Sequence, residues 1–373
     1  MRWRIAMKRM YVLTLTALLT PGLVAAIAGA QDAPPTEAPA ETPAEHRPDL
    51  WVGDKAPSLT ISEWVKGSPV EAFKPGEIYV VEFWATWCGP CIASMPHLSE
   101  IQTNLKGKGV TVIGVSAEDP GNSLDAVKKM VEEKGEGMAY TVAFDGGAQT
   151  SANWMEPAEQ MGIPCSFVVD KQGNLAYIGH PMFLDIPLEG LLAGTWDNKV
   201  GMKKIAEAEE MLNDIFNPEY DAAQRLAAFE KFEGKFPAVA HQGLLRPIRM
   251  NVLMENGKYD AAWKLAEEIL AEGMKKNDAQ ALNEIAWKMV DPDAGIEEPN
   301  LPLALKAAEA ANTITEGKDA SVLDTLARVY WRMGEKSKAI EIQRQAVEKA
   351  EGWMKTQIEA VLKEYEEGAK TGG

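Results

Sequence analysis

Short apolar runs alternate with amphipathic stretches from Trp51 to about Trp196. Ile78–Phe83 is apolar except for Glu82, which predicts a buried strand. Cys88–Leu105 carries Leu98, Ile101 and Leu105 at helical spacing, and Val110–Val115 is a second strand rich in β-branched residues. Ser123–Lys134 is amphipathic through Leu124, Val127 and Val131, Tyr140–Phe144 is strand-like, and Ser151–Met161 predicts a short helix. Ser166–Asp170 and Leu175–Ile178 flank Lys171-Gln172-Gly173-Asn174, the signature of a hairpin turn. Asp185 is placed to cap a last short helix, with Pro187 in its first turn. Strand–helix–strand followed by a hairpin and a helix predicts an α/β fold with a central mixed sheet flanked by helices.

After Gly201 the strand signals stop, and Ala, Glu, Lys, Leu and Met follow helical periodicity to the end. Breaks at Asn217-Pro218, Phe236-Pro237, Asn256-Gly257, Asp291–Pro302 and Gly334 predict an all-α region, residues 201–373, of roughly six to eight helices. Two of these turns share their surroundings. Gly257 has Leu253 before it and Ala262 and Ile269 after it, and Gly334 has Tyr330, Ala339 and Ala346 at the same offsets. With Leu326-Ala327 ahead of Tyr330, the last stretch resembles a tetratricopeptide (TPR) repeat, although Arg249 breaks the match to Leu326. A generic helical bundle is the plainer alternative.

The N-terminus differs from both regions. Arg2, Arg4, Lys8 and Arg9 precede the apolar Tyr11–Ala30, and Ala28-Gly29-Ala30 offers a cleavage pattern, so residues 1–30 read as an export signal peptide. Left uncleaved, the segment would serve as a membrane anchor. Residues 31–50 are rich in Pro, Ala and Glu and read as a disordered linker. The net charge of −17 argues against nucleic-acid binding. Export implies an oxidising extracytoplasmic compartment such as the periplasm.

The candidate chemistry lies in Trp84-Ala85-Thr86-Trp87-Cys88-Gly89-Pro90-Cys91, directly after the first predicted strand. Two thiols one helical turn apart can close a disulfide, and a helix beginning at the first would stabilise its thiolate. The chemistry this suggests is thiol–disulfide exchange. Zinc needs about four ligands, and the chain offers one such pair, the isolated Cys165 and four scattered histidines, so no metal site is expected. Glu82, six residues before Cys88, sits in the apolar strand on the same face as Trp84. Buried there, its carboxyl pKa would rise toward neutrality and it could take the proton of Cys91; the alternative is a solvated edge glutamate.

Trp84–Cys91, with Pro96 five residues on, resembles the thioredoxin superfamily, and Val52-Gly53-Asp54-Lys55-Ala56-Pro57 resembles the opening of its exported TlpA/ResA-like branch. Ile163-Pro164 before Ser166–Asp170 is similar to that family's cis-proline loop. The resemblance covers residues 51–196, a thioredoxin-like (TlpA/redoxin) domain. It implies Cys88 as nucleophile, Cys91 as resolving thiol, Trp87 flanking the pair, and Pro164 as the cis-proline beside which a substrate chain pairs. Pro96 would kink the active-site helix. Cys165 departs from the threonine common after the cis-proline, and is either a small packing residue or a third redox thiol; Trp87 and Cys165 are thus candidate modulators. His180 either lines the site or closes a loop, and His97 is expected to pack or lie at the surface.

The resemblance implies an exported protein-disulfide reductase, a redox-active enzyme with no cofactor, acting on exported proteins with disulfides and supplied by a membrane thiol donor. The helical domain would present a groove to a protein partner. Two alternatives remain open at this point. A thiol peroxidase of peroxiredoxin-like type shares the Gly53–Pro57 opening, but Ala85 stands where such enzymes want threonine. A non-catalytic, redox-sensing TPR scaffold is the other.

Overall fold

The computed structural model describes residues 47–371 apart from residue 297. The expected export signal, residues 1–30, and residues 31–46 of the expected linker lie outside the described residues. Leu50, assigned by composition to that linker, is buried, and its backbone N–H bonds to the Pro157 carbonyl. Its own apolar side chain outweighs the polar stretch before it.

The first part of the chain builds β1 (Glu63–Lys66), β2 (Ile78–Trp84), α1 (Gly89–Leu105), β3 (Val110–Ala117), α2 (Leu124–Lys134), β4 (Thr141–Asp145), α3 (Gln149–Trp154), β5 (Cys165–Val169), β6 (Leu175–Gly179) and α4 (Asp185–Ala193). The strands form one mixed sheet in the order β1-β4-β3-β2-β5-β6. The pairs β2–β3 and β3–β4 are parallel, and β1–β4, β2–β5 and β5–β6 are antiparallel. This is a thioredoxin-like arrangement, with β2 central and α1 leaving its C-terminal end.

Side chains alternate across the sheet. Ile78, Val80 and Trp84 of β2 join Met95, Leu98 and Ile101 of α1 in one apolar cluster. Tyr79, Val81 and Phe83 join Phe167 and Val169 of β5 and Trp154 of α3 in a separate cluster on the opposite face. In the latter, the rings of Trp154 and Phe167 meet edge to face at 5.3 Å, and Phe83 and Phe167 at 5.6 Å.

Three local expectations change. β1 lacked a sequence signal, because its four residues are only half-buried and pair along the sheet edge with β4. The helix expected at Ser151–Met161 is α3, which stops at Trp154; Pro157 brings no N–H and Glu159 adopts φ +55. Asp185 begins α4 without capping it. The chain enters from a 3-10 turn at Pro181–Phe183 with Leu184 already helical, so the Asp185 carboxylate is left for tertiary contacts.

The rest of the chain is helical: α5 (Asn198–Ile215), α6 (Ala222–Lys235), α7 (Pro237–Ala240), α8 (Arg246–Glu255), α9 (Tyr259–Lys276), α10 (Ala279–Val290), α11 (Leu301–Ile314), α12 (Ala320–Arg332), α13 (Lys336–Lys349) and α14 (Gly352–Thr371). Several turns were not anticipated. Asn277 at φ +52 ends α9, and Glu316-Gly317, both at positive φ, follow α11. Gly257 and Gly334 adopt φ +66 and +85 at the α8–α9 and α12–α13 turns, a conformation glycine adopts without strain. The matched residues around them, Leu253, Ala262 and Ile269 against Tyr330, Ala339 and Ala346, are all buried in one cluster.

The apolar core does not break between residues 196 and 201. Ile205, Ala208 and Met211 of α5, with Phe229 and Phe232 of α6, lie in the same cluster as Val168 and Tyr177 of the sheet. The Trp196 ring lies directly on Gly201, where a Cβ would come within 2.2 Å of it. Farther on, the α8–α9 hairpin reaches back to α1 through Lys276 Nζ, 2.7 Å from Glu100 Oε1.

Candidate functional site

The strand β2 delivers the chain to the cysteine pair. Trp84 ends the strand, and Thr86 is clamped by Asn122, whose Oδ1 accepts the Thr86 backbone N–H at 2.9 Å and its hydroxyl at 2.8 Å. Asn122 is buried and in turn donates to Ser116 Oγ and the Ala117 carbonyl at the end of β3. This clamp had no sequence signature, since Asn122 lies 36 residues from Thr86.

Cys88 is the N-cap of α1, with Pro90 in the first turn, and Cys91 lies one turn in. The two are joined by a disulfide, S–S 2.07 Å. The Cys91 backbone N–H donates to Cys88 Sγ at 3.2 Å. Once the disulfide opens, the same N–H and the positive end of the helix would favour a Cys88 thiolate. The Ile163–Pro164 peptide is cis, and the Ile163 carbonyl oxygen is 3.7 Å from Cys88 Sγ. Trp87 is 58% exposed beside the pair, and its indole N–H donates to the Asp119 carboxylate at 3.0 Å. Pro96 lies inside α1.

Glu82 is 1% exposed, on the face of β2 shared by Val80 and Trp84, whose cluster also contains Cys88 and Cys91. Burial pushes its carboxyl from 4.5 up to about 8, opposed by a hydrogen bond that Ser166 donates to Oε2. Neither Glu82 Oε1 nor Trp84 Nε1 has a hydrogen-bond partner among the described residues. The solvated-edge alternative for Glu82 is not what the structure contains.

Cys165 pairs with Phe83 across β5 and β2, so its side chain belongs to the aromatic cluster on the sheet face opposite Glu82, Cys88 and Cys91. It is free and buried, its Sγ lies 3.8 Å from Gln160 Oε1, and burial, then the Glu82 carboxylate, pushes its thiol up to about 12 against a Gly179 backbone hydrogen bond that lowers it. A thiol held protonated in this way is a weak nucleophile.

His180 closes a loop: its Nδ1 accepts the Met182 N–H at 3.2 Å, and burial lowers its pKa. His97 was expected to pack or lie at the surface, and it packs. Its Nε2 lies 3.3 Å from Asp185 Oδ2, which also accepts from Gln242 beyond the sheet region. Burial lowers the His97 pKa and raises that of Asp185, so charge is disfavoured on both. Among the described residues there is no cluster of three or more potential metal ligands, and no helix is long and apolar enough to cross a membrane.

Residues 51–184 match the Redoxin family profile. Protein FixW of Rhizobium leguminosarum is 28% identical over 183 residues, covering 47% of this chain and 83% of FixW. The thiol:disulfide interchange protein HelX of Rhodobacter capsulatus is 31% identical over 157 residues, 40% of this chain and 82% of HelX. The thiol-disulfide oxidoreductase ResA of Bacillus anthracis is 30% identical over 128 residues, 34% of this chain and 68% of ResA.

Proposed function

Because this chain belongs to the thioredoxin-like redoxin family, we propose that it is a thiol–disulfide oxidoreductase that reduces disulfides of exported proteins. Cys88 is the attacking thiolate, and Cys91 resolves the mixed disulfide. Glu82 takes the Cys91 proton as it attacks. Pro164 shapes the loop beside which the substrate chain lies, and exposed Trp87 borders the approach to Cys88. Cys165 is a packing residue.

The observation that carries this reading is the Cys88–Cys91 disulfide at the start of α1, on the sheet face that also buries Glu82. Names of relatives support the class of reaction, since HelX and ResA are described as acting in thiol–disulfide chemistry. Export through residues 1–30, with delivery to the periplasm, rests on the sequence pattern. The helical region, with its repeated hairpins α8–α9, α10–α11 and α12–α13, is the proposed TPR-like module for a protein partner, and a membrane thiol donor is the proposed electron source.

The test is the reduction potential of the Cys88–Cys91 pair, measured in glutathione and dithiothreitol series. A value below about −230 mV is expected for a reductase that depends on a dedicated donor. A value near about −120 mV would reassign the protein as a disulfide-forming oxidase.

A further inference from the structure

Glu82 faces a set of groups drawn from several elements. Ser166 lies directly opposite it on β5, paired in antiparallel register and therefore on the same sheet face. Tyr140, just before β4, is raised in pKa by burial and then by the Glu82 charge, and Tyr177 on β6 by burial and more weakly by several charges that include Glu82. Tyr177 also feels Glu209 of α5, Cys165 lies across the sheet, and Cys88 and Cys91 lie on α1. All of these are neutral or acidic, and no cation contributes to the Glu82 shift. Ser166, completely buried, is the group whose hydroxyl donates to the carboxylate.

We propose that Ser166 is a positioning residue for proton transfer at the cysteine pair: its hydroxyl holds Glu82 Oε2 and leaves Oε1 to exchange the proton of Cys91. This inference rests on Glu82 being the group that receives that proton. In the step concerned, the Cys91 thiol gives its proton to the Glu82 carboxylate. The resulting Cys91 thiolate attacks the Cys88 sulfur of a mixed disulfide. The Cys88–Cys91 bond forms, the bond from Cys88 to the substrate sulfur breaks, and the substrate leaves as a thiolate. Two electrons pass from the cysteine pair to the substrate.

A hydroxyl that donates to the ionised carboxylate favours the charged form and so counteracts burial. Without it the carboxyl holds its proton to higher pH, and less carboxylate is available to accept from Cys91 near neutrality. The experiment uses the full reduced chain and dithionitrobenzoate, a chromogenic aromatic disulfide. The first thiolate is released as Cys88 is modified, and the second as Cys91 resolves the mixed disulfide, so the second phase is followed against pH. Ser166→Val is expected to move its rising limb upward by about one pH unit and slow it about tenfold at neutral pH, since bonds to charged groups are of that size. Ser166→Thr, which restores the hydroxyl on a similar frame, is expected to keep the wild-type limb. If valine does not fold, Ser166→Ala takes its place.

Glu82→Gln separates the two claims. Retention of the limb in Glu82→Gln would overturn the proton-transfer reading itself. Loss of the limb there, with an unmoved limb in Ser166→Val, would overturn only the assignment to Ser166. A lowered melting temperature in Ser166→Val with an unmoved limb marks a purely structural residue and counts against the proposal.

Discussion

The two faces of the central sheet come from the same strands yet have opposite chemistry. On the α1 face, β2 and β5 bury a carboxylate and a hydroxyl beneath a disulfide. On the other face, the adjacent residue of each strand, Phe83 after Glu82 and Cys165 before Ser166, enters an aromatic cluster with Trp154 and Phe167. Both faces hold cysteine sulfur. The α1 face places its cysteines at a helix start on the side that buries the Glu82 carboxyl, while burial on the other raises its thiol to about 12. Under the proposed function, reactivity is therefore set by the face a cysteine enters, since Cys88, Cys91 and Cys165 are all buried.

The largest expected effects test whether the chemistry is confined to the α1 face. Cys88→Ser and Cys91→Ser should each reduce catalysed disulfide exchange by about a thousandfold or more. Cys91→Ser should also accumulate mixed disulfides through Cys88, visible on non-reducing gels. Cys165→Ser should stay within about twofold of the wild type in the same assay; a large loss would erase the contrast between the faces.

The next effect lies on the aromatic face and should concern stability alone. Trp154→Ala should cost about 3–5 kcal/mol in urea unfolding, because it empties a fully buried ring site. The pH dependence of exchange in the folded fraction should not move.

Glu82→Gln should distinguish the faces by pH. Below its ordinary value of 4.5, Glu82 is protonated whether the chain is folded or not, and contributes no pH dependence. As pH rises, the unfolded chain loses that proton first, so stability is lost up to about pH 8 and then levels off. The glutamine variant should therefore gain on the wild type across this window, by on the order of 4–5 kcal/mol at its upper end. Denaturant titrations of the oxidised proteins at several pH values would show it. A constant difference would mean that Glu82 is not the titrating group.

The smallest effect should come from Cys165→Ala, with a loss of about 1 kcal/mol from one vacated sulfur. The reduction potential of the Cys88–Cys91 pair should shift by less than about 10 mV, well under the change that marks a tenfold effect. A larger shift would promote Cys165 from packing to redox chemistry.

Much of this was legible locally. The strands β2 to β6 and the helices α1, α2 and α4 follow from periodicity, as does the change to helices after Gly201, because each signal repeats within a few residues. The pair Cys88 and Cys91 and the buried position of Glu82 were legible for the same reason. Less legible were β1, whose half-buried edge carries little alternation, and the end of α3, where Pro157 interrupts an otherwise helical composition. Asp185 illustrates another limit: a residue suited to a helix start was used instead to meet Gln242 and His97.

By itself, then, the sequence determined the elements, their order, and the placing of two thiols at a strand-to-helix junction, all of which depend on neighbours within a turn or a strand. The tertiary structure decided that Ser166 faces Glu82 across 84 residues of chain. It also decided that Cys165 enters the opposite face, that Asn122 clamps the approach to Cys88, and that the core continues from the sheet into α5 and α6. These depend on strand register and on which surfaces pack together. A shift of one residue in register would exchange the two faces, and no local pattern encodes that choice.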